Sequence, residues 1–268
     1  MATEIPENLK ADLPPTLWGK VLGITPVAMT VIATVLAGLA SSEMNRAQYD
    51  RALAAQLQSK ASDQWNLFQA KKLRSAMQTD TADLLEAGRG AAGAGAATAP
   101  YAAPHFKTRS SLSDMAPAAR DAIQALSDGH PEAEVETKVA KATDDQLQAA
   151  MALAQERTLQ FDAEIKPIPV LADPIGRRRF TASRYDVESR LNQDVADVYE
   201  MLVRKSNQSA ERHHARSQLF FYGMLIAQMS VVISTFALAA KKRNVLWSLA
   251  AAAGAAALTF SIYVYLCI

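Results

Sequence analysis

Three long runs of uncharged residues dominate the pattern of hydrophobic and polar positions along the chain. They cover residues 21–40, 219–240 and 245–268. A helix needs about 20 apolar residues to cross the roughly 30 Å hydrocarbon core of a bilayer, so each run is long enough to span a membrane. Only helices and closed barrels satisfy their backbone polar groups in lipid, and runs of this length are helical. The pattern therefore predicts three transmembrane helices, with a very hydrophobic buried hairpin in a soluble protein as the alternative.

The first run could also be read as a signal peptide, because residues 38–40 fit a small-x-small cleavage site. The run has 20 residues and follows Glu4, Glu7 and Asp12. The apolar core of a signal peptide is usually about 7–15 residues long and has a positively charged segment before it. We therefore expect an uncleaved anchor.

The stretch after the first run has the composition of a long helix. Residues 41–87 contain no Pro or Gly and are rich in Ala, Gln, Lys and Leu, which favour helices. Side chains recurring every three or four residues predict one apolar stripe along it. The members of this stripe are Tyr49, Leu53, Leu57, Ala61, Trp65 and Phe68. At 1.5 Å per residue, the helix would extend roughly 70 Å beyond the membrane.

A second long helix is predicted immediately before the second run. Residues 181–218 contain no Gly or Pro, so this helix should continue into the membrane. A coiled-coil-like seam is formed by Leu191, Val195, Val198 and Leu202, which are spaced by four, three and four residues. Because the two long helices leave the same membrane face in opposite chain directions, we expect them to form an antiparallel stalk.

Residues 88–180 would form a variable cap at the far end of this stalk. A Gly/Ala/Pro tract at residues 88–104 reads as a linker. A short helix should follow at residues 116–127, with Pro117 in its first turn, and another at residues 131–165. Three prolines and a glycine in residues 166–180 then break the helix, and a solvated loop or a protein contact is expected for the three arginines at 177–179.

The predicted fold class is an all-α membrane protein with three transmembrane helices, a long antiparallel extramembrane helical stalk that is coiled-coil-like, and a variable helical or loop cap. Its segments are a tail (1–20), the first transmembrane helix (21–40), the first stalk helix (41–87), the cap (88–180), the second stalk helix (181–218), the second transmembrane helix (219–240), a basic turn (241–244) and the third transmembrane helix (245–268).

The basic turn predicts the orientation in the membrane. Lys241, Lys242 and Arg243 lie between the second and third apolar runs, and positive residues in short loops stay on the cytoplasmic side. This places the N-terminus inside and residues 41–218 outside. Arginines and a lysine also flank the membrane on the large-domain side, but long translocated regions respond less to charge.

The composition excludes several kinds of chemistry. Net charge is +1, so nothing favours nucleic acid as a partner. No phosphate-binding loop, catalytic triad or Cys/His pair stands out, so we expect no enzyme, cofactor or metal. His213 and His214 are adjacent and cannot easily share one ion on a helix, so a solvated pair is expected.

The apolar runs contain no Asp, Glu, Lys, Arg or His, which disfavours a transporter. Gln228 is the strong hydrogen-bonding side chain at mid-membrane depth and should link helices. Gly254 lies in an alanine-rich stretch whose small side chains let helix backbones approach closely. We therefore expect both residues to serve helix packing in the membrane.

The stretch "SDQWNLFQAKKLR" (62–74) resembles the SDQW-x-x-x-QAK signature of a bacterial three-span membrane protein family of unknown function, with a basic-turn hairpin at the C-terminal end. The similarity covers about residues 18–80 and 181–265. It implies a bacterial plasma-membrane location but no activity. Combined with the orientation expected from the basic turn, this location would place residues 41–218 in the periplasm. By this resemblance the signature positions are Asp63, Gln64, Trp65, Gln69, Ala70 and Lys71.

These observations favour a scaffold or accessory subunit that self-associates or docks within a membrane protein complex, surrounded by membrane lipids. A subunit of an oligomeric channel or transporter is the alternative, and a ligand sensor built on the cap is a third hypothesis. Aromatic residues amid polar neighbours suit a buried helix contact. The stalk residues expected to make such contacts are Trp65, Phe68, Gln69, Lys71, Leu191, Val198 and Leu202.

Overall fold

The computed structural model describes residues 17–91, 111–166, 168, 171–239 and 243–267, and every long element within these ranges is a helix. The helices are α1 (Leu17–Ala91), α2 (Pro117–Ser127), α3 (Glu132–Lys141), α4 (Asp144–Ile165), α5 (Pro174–Ala239) and α6 (Arg243–Cys267), together with a short 3-10 helix at Ser111–Asp114. The prediction of an all-α fold is confirmed for the residues that the structure describes.

Three of these helices, α1, α5 and α6, contain stretches long and apolar enough to cross a membrane. This confirms the three membrane-compatible helices expected from the apolar runs. Lys241 and Lys242 lie outside the described residues, as does most of the predicted 88–104 linker.

Helix α5 begins seven residues before its expected start at Thr181. Proline suits a first helical position because its missing N–H has no partner there anyway, and Pro174 occupies that position. Just before it, Asp173 Oδ2 accepts a 2.8 Å hydrogen bond from the backbone N–H of Gly176. The three arginines at 177–179 therefore lie in the first turns of a helix, and the solvated-loop interpretation is wrong.

The single helix expected over residues 131–165 is also wrong, because α3 ends at Lys141 and α4 begins at Asp144. Thr143 Oγ1 accepts a hydrogen bond from the backbone N–H of Gln146, and the Gln146 side chain accepts one from the backbone N–H of Thr143. This reciprocal capping box specifies a new helix start, so the chain turns at residues 142–143.

The chain divides into two compact units. The first comprises residues 1–50 and 209–268, and the second comprises residues 51–208. In the first unit, buried side chains from α1, α5 and α6 form one apolar cluster that includes Leu36, Phe220 and Val264.

The second unit has its main core where α2, α3 and α4 pack against α5. Fully buried members of this core are Val135, Val139, Leu147, Val198 and Met201. A smaller cluster joins Phe161 and Ile165 of α4 to Val187 and Leu191 of α5.

Small residues are buried at seven-residue intervals along α1, α5 and α6, the helices that contain the apolar runs. On α1 they are Ala33, Ala40, Ala47, Ala54, Ala61 and Ala82; on α5 they are Ala182, Ser189, Ala196, Ala210 and Ser217, with Val203 in register; on α6 they are Ala250 and Ala257, followed by Val264. A strict seven-residue period keeps one face of a helix against a neighbour, and small side chains allow close approach.

The pattern of buried residues on α1 shows that the predicted apolar stripe is wrong at Tyr49. Tyr49 is 69% exposed, whereas Ala47 and Ala54 are buried. At about 100° per residue, Tyr49 lies about 200° around the helix from Ala47. The buried face therefore follows the alanines, and Tyr49 does not belong to it.

Candidate functional site

The predicted contact segment of α1 lies against α5 in the second unit. The indole Nε1–H of half-buried Trp65 donates a 2.7 Å hydrogen bond to Oε1 of Glu200. The Trp65 ring meets Phe68, one turn further along α1, edge to face with centroids 5.5 Å apart. Trp65 therefore combines an aromatic contact on its own helix with a polar contact to α5.

Two lysines next to this segment form ion pairs with α5. Lys71 Nζ lies 3.2 Å from Oε2 of Glu188, and Lys72 Nζ lies 2.8 Å from Oδ1 of Asp186. The side chain of Glu188 is only 10% exposed and also pairs with Arg184 through its other oxygen. Two cations therefore neutralise this nearly buried carboxylate, as the high cost of burying an unpaired charge requires.

The contacts continue toward the end of α1. Ser75 Oγ donates a 2.8 Å hydrogen bond to the carbonyl oxygen of Ala182, and Arg178 Nη1 donates one of 2.8 Å to Oε1 of Gln78. Arg179 forms an ion pair with Glu86. From Trp65 with Glu200 to Gln78 with Arg178, the partner numbers on α5 fall as those on α1 rise, so the two helices are antiparallel in this unit. We call this set of contacts the α1–α5 ladder.

Two cation–π contacts add to the α1–α5 ladder. Lys60 Nζ lies 5.9 Å from the ring centroid of Tyr199, and the Arg74 guanidinium carbon lies 6.0 Å from that of Tyr185. Such contacts contribute roughly 0.5–1 kcal/mol at exposed sites. In both of them α1 supplies the cation and α5 the ring.

A buried carboxyl group lies on α5 one turn before Glu200. Asp197 is 4% exposed. Burial, followed by the negative charges of Glu200 and Asp194, raises the pKa of Asp197 to about 7. The helix that receives the cations of α1 thus also contains an acid that is half-protonated near neutral pH.

Lys205 of α5 binds the C-terminal end of α3, whose N-terminal half is also contacted by Arg204 and Gln208 of α5. Lys205 Nζ donates hydrogen bonds to the carbonyl oxygens of Ala140 and Ala142 at 3.2 and 2.6 Å, and to that of Val139 at 3.4 Å. The last carbonyls of a helix lack intrahelical partners and carry partial negative charge, so a cation there satisfies both needs.

The structure places the other predicted contact residues on different faces. Leu191 packs with α4, and Val198 and Leu202 belong to the core formed with α2, α3 and α4. The seam therefore faces α2, α3 and α4 of this unit, whereas the contacts of α1 described above involve other residues of α5. Gln69 is exposed on α1.

In the first unit, Gly254 of α6 is buried where helices approach closely. A Cβ atom added there would overlap the thioether end of Met29 on α1 and lie 3.4 Å from Ser230 Oγ on α5. Ser230 Oγ itself donates a buried 2.7 Å hydrogen bond to the carbonyl oxygen of Ala250 on α6. The small-residue stretch of α6 thus packs on both other helices of this unit.

The histidine pair of the first unit differs from the solvated pair that the sequence predicts. His213 Nδ1 lies 2.5 Å from Oε2 of Glu43, and the two side chains are only 22% and 13% exposed. Ser217 Oγ, one turn on, donates a buried 2.7 Å hydrogen bond to the carbonyl oxygen of Ala40. These two contacts join α1 and α5 where the apolar run of α1 ends and that of α5 begins.

The structure does not show the predicted helix-linking contact of Gln228 within the described residues. Gln228 is exposed on α5. Arg243 begins α6, but its side chain lies outside the described residues. Within the ranges that the structure describes, no group of three His, Cys, Asp or Glu side chains could hold a metal ion.

The sequence interpretation missed the acidic side of the α1–α5 ladder, although a signal was present. Asp186, Glu188 and Glu200 lie on one helix, and Lys71 and Lys72 lie on the other. In an antiparallel pair of helices, the residue numbers of two facing residues add up to a nearly constant value. This rule matches the acidic residues of one helix with the lysines of the other from the sequence alone.

Comparison with known proteins identifies the chain only at the level of its family. Searches of curated proteins and of solved structures found no match. The family described as a domain of unknown function (DUF4337) matches residues 18–267, which is nearly the whole chain. The chain belongs to this family.

Proposed function

We propose that this protein is a membrane-anchored helical scaffold or accessory subunit that self-associates or docks within a membrane protein complex. The two long helices, held together by the α1–α5 ladder, would present a fixed surface to the partner. Three membrane-crossing helices would provide the anchor.

The observation that carries this proposal is the two-sided character of α1 in the second unit. Ser75 and buried Ala82 lie on its α5-facing side. Two residues further, and so about 200° around the helix, Met77 and Leu84 are 57% and 74% exposed. Leu73, one turn before Met77, is 63% exposed. Large apolar side chains aligned on the outer face of a helix mark an interaction surface.

The finer architecture is part of the same proposal. Seven-residue spacing of buried small residues supports a coiled-coil-like antiparallel stalk, because this period is the signature of helices that wrap around one another. Helices α2, α3 and α4 would form its cap. The basic turn at residues 241–243 supports a cytoplasmic N-terminus and a periplasmic position for residues 41–218 in a bacterial plasma membrane.

Charged substitutions on the outer face of α1 test this proposal. The protein would be extracted in polymer-bounded native nanodiscs, and particle masses compared for the wild type and the triple variant Leu73→Glu, Met77→Glu, Leu84→Glu. We expect the variant to lose most of the assembled species. The matched control is Leu159→Glu on α4, since Leu159 is 69% exposed and equally large. Equal assembly of the triple variant and the wild type would refute the role of this face.

A further inference from the structure

A row of exposed side chains follows one face of α5 inside its apolar run. Its members are Phe221, Leu225, Gln228, Val232 and Thr235, with spacings of four, three, four and three residues. This spacing is the seam of a left-handed helix pair. The apolar members are 40–48% exposed, so α1 and α6 of the same chain leave the row uncovered.

Gln228 occupies the centre of this row and lies near the middle of the uncharged run at residues 219–240. Its amide has two N–H donors and a carbonyl acceptor. No hydrogen bond joins it to any residue that the structure describes. In the hydrocarbon core there is no water to take that place, and an unsatisfied polar group costs several kcal/mol. The exposed amide therefore needs a partner from outside this chain.

We propose that the partner is the same face of α5 in a second copy of this chain, with the two Gln228 amides hydrogen-bonded to each other. All copies enter the membrane in one orientation, so their α5 helices are parallel and residue 228 lies at the same depth in each. An amide is self-complementary, because each copy supplies both a donor and an acceptor. A symmetric pair also repeats the same contact on both sides of its two-fold axis.

The central glutamine also fixes the register of the pair. A sliding of the two helices would move each amide against an apolar side chain, whereas polar residues at single seam positions specify register in helix pairs. Packing of Phe221, Leu225 and Val232 against their counterparts supplies the surrounding contact. This inference rests on the proposed membrane anchoring and self-association, and it names the surface responsible.

Disulfide trapping in native membranes tests the symmetric contact. The single native cysteine is first removed as Cys267→Ser, and Gln228→Cys or Met229→Cys is added to that background. Met229 is 60% exposed and adjacent, but about 100° away around the helix. Oxidation should link the Gln228→Cys chains into a species of twice the 28.9 kDa chain mass and leave the Met229→Cys chains single. Equal linking at both positions, linking to another protein, or none at 228 would overturn the proposal.

A non-covalent measurement complements the trapping, because cysteine could alter the contact. Gln228→Leu should weaken dimerisation in bilayers by roughly 3- to 30-fold, the range that corresponds to membrane hydrogen bonds. Met229→Leu should leave it unchanged. If Gln228→Leu dimerises as well as the wild type, this interface is wrong while self-association stands. A wild type that is monomeric in bilayers would instead remove the proposed self-association as well.

Discussion

Trp65 of α1 donates its indole N–H to the carboxylate of Glu200 on α5 over 2.7 Å. The bond joins positions 135 residues apart in sequence, next to the buried acid Asp197. Trp65 therefore acts as both a ring that covers the helix interface and a donor that offsets one of several clustered negative charges.

The substitution Trp65→Phe separates these two roles, since phenylalanine keeps a ring but has no donor. Loss of a hydrogen bond to a charged group should lower the local stability of the α1–α5 pair by about 1–3 kcal/mol. Amide hydrogen exchange over residues 51–89 would measure this change. Leu67→Ala on the same helix, where the side chain is 45% exposed, is the control and should have little effect. Unchanged exchange in Trp65→Phe would mean that the hydrogen bond contributes nothing.

Asp197 predicts a pH dependence of stability. Its pKa is raised from 3.8 to about 7 by burial and neighbouring negative charge. A raised pKa means that the folded state prefers the protonated form, so this stability is complete below pH 3.8 and is lost as pH rises through 7. Asp197→Asn should therefore unfold at a higher temperature than the wild type at pH 8, and the gain should shrink at pH 5.

The stability advantage of Asp197→Asn over the wild type should be larger at pH 8 than at pH 5, by an amount of the order of 2 kcal/mol. Thermal unfolding followed by circular dichroism in detergent at both pH values measures it. Glu164→Gln, which changes an exposed carboxylate on α4, is the control and should shift neither curve. A wild-type advantage over Asp197→Asn at pH 8 would contradict this electrostatic explanation.

The hydrogen bonds of Lys205 predict that its removal loosens α3 from α5. Lys205→Met keeps much of the aliphatic chain but removes the donor that serves three carbonyl groups near the end of that helix. We expect amide exchange over Glu132–Lys141 to accelerate as local stability falls by about 1–3 kcal/mol. Lys141→Met removes an exposed lysine from α3 itself and should leave the exchange unchanged. The same rate in both variants would show that the other contacts of α3, apolar and polar, hold it without Lys205.

Gly254 and Gly38, two of the glycines in the apolar runs, predict opposite tolerance of larger residues. A Cβ at Gly254 meets the Met29 side chain, whereas nothing lies within 4 Å of one at Gly38. Gly254→Val should overpack the first unit and destabilise it by about 1–3 kcal/mol, and Gly38→Val should not. Thermal unfolding in detergent distinguishes them, and equal loss of stability in both variants would contradict this packing.

The helical class and the three membrane-compatible helices could be predicted because uncharged runs of such length have few alternatives in water or lipid. The interruption at residues 142–143 was also encoded locally, since Thr143 and Gln146 form a capping-box pattern. Alanine-rich helices have weak apolar periodicity, and this pattern was therefore hidden within an apparently continuous helix.

Which face of each long helix contacts which neighbour was much harder to predict. Large side chains drew attention to Tyr49, although the buried face of α1 follows Ala47, Ala54 and Ala61. Close helix pairs bury small residues because backbones approach there, so hydrophobicity alone points to the wrong side. Similarly, Val198 lies in the core with α2, α3 and α4, and only the tertiary structure determines this choice.

The central claim is that the chain works as part of an assembly, and counting subunits in native membrane tests it most directly. A fluorescent fusion of the wild-type chain would be captured in native nanodiscs at low density, and bleaching steps counted in single particles, with co-captured proteins identified by mass spectrometry. We predict two or more copies per particle, or a stoichiometric second protein. Particles with one bleaching step and no accompanying protein would contradict the account.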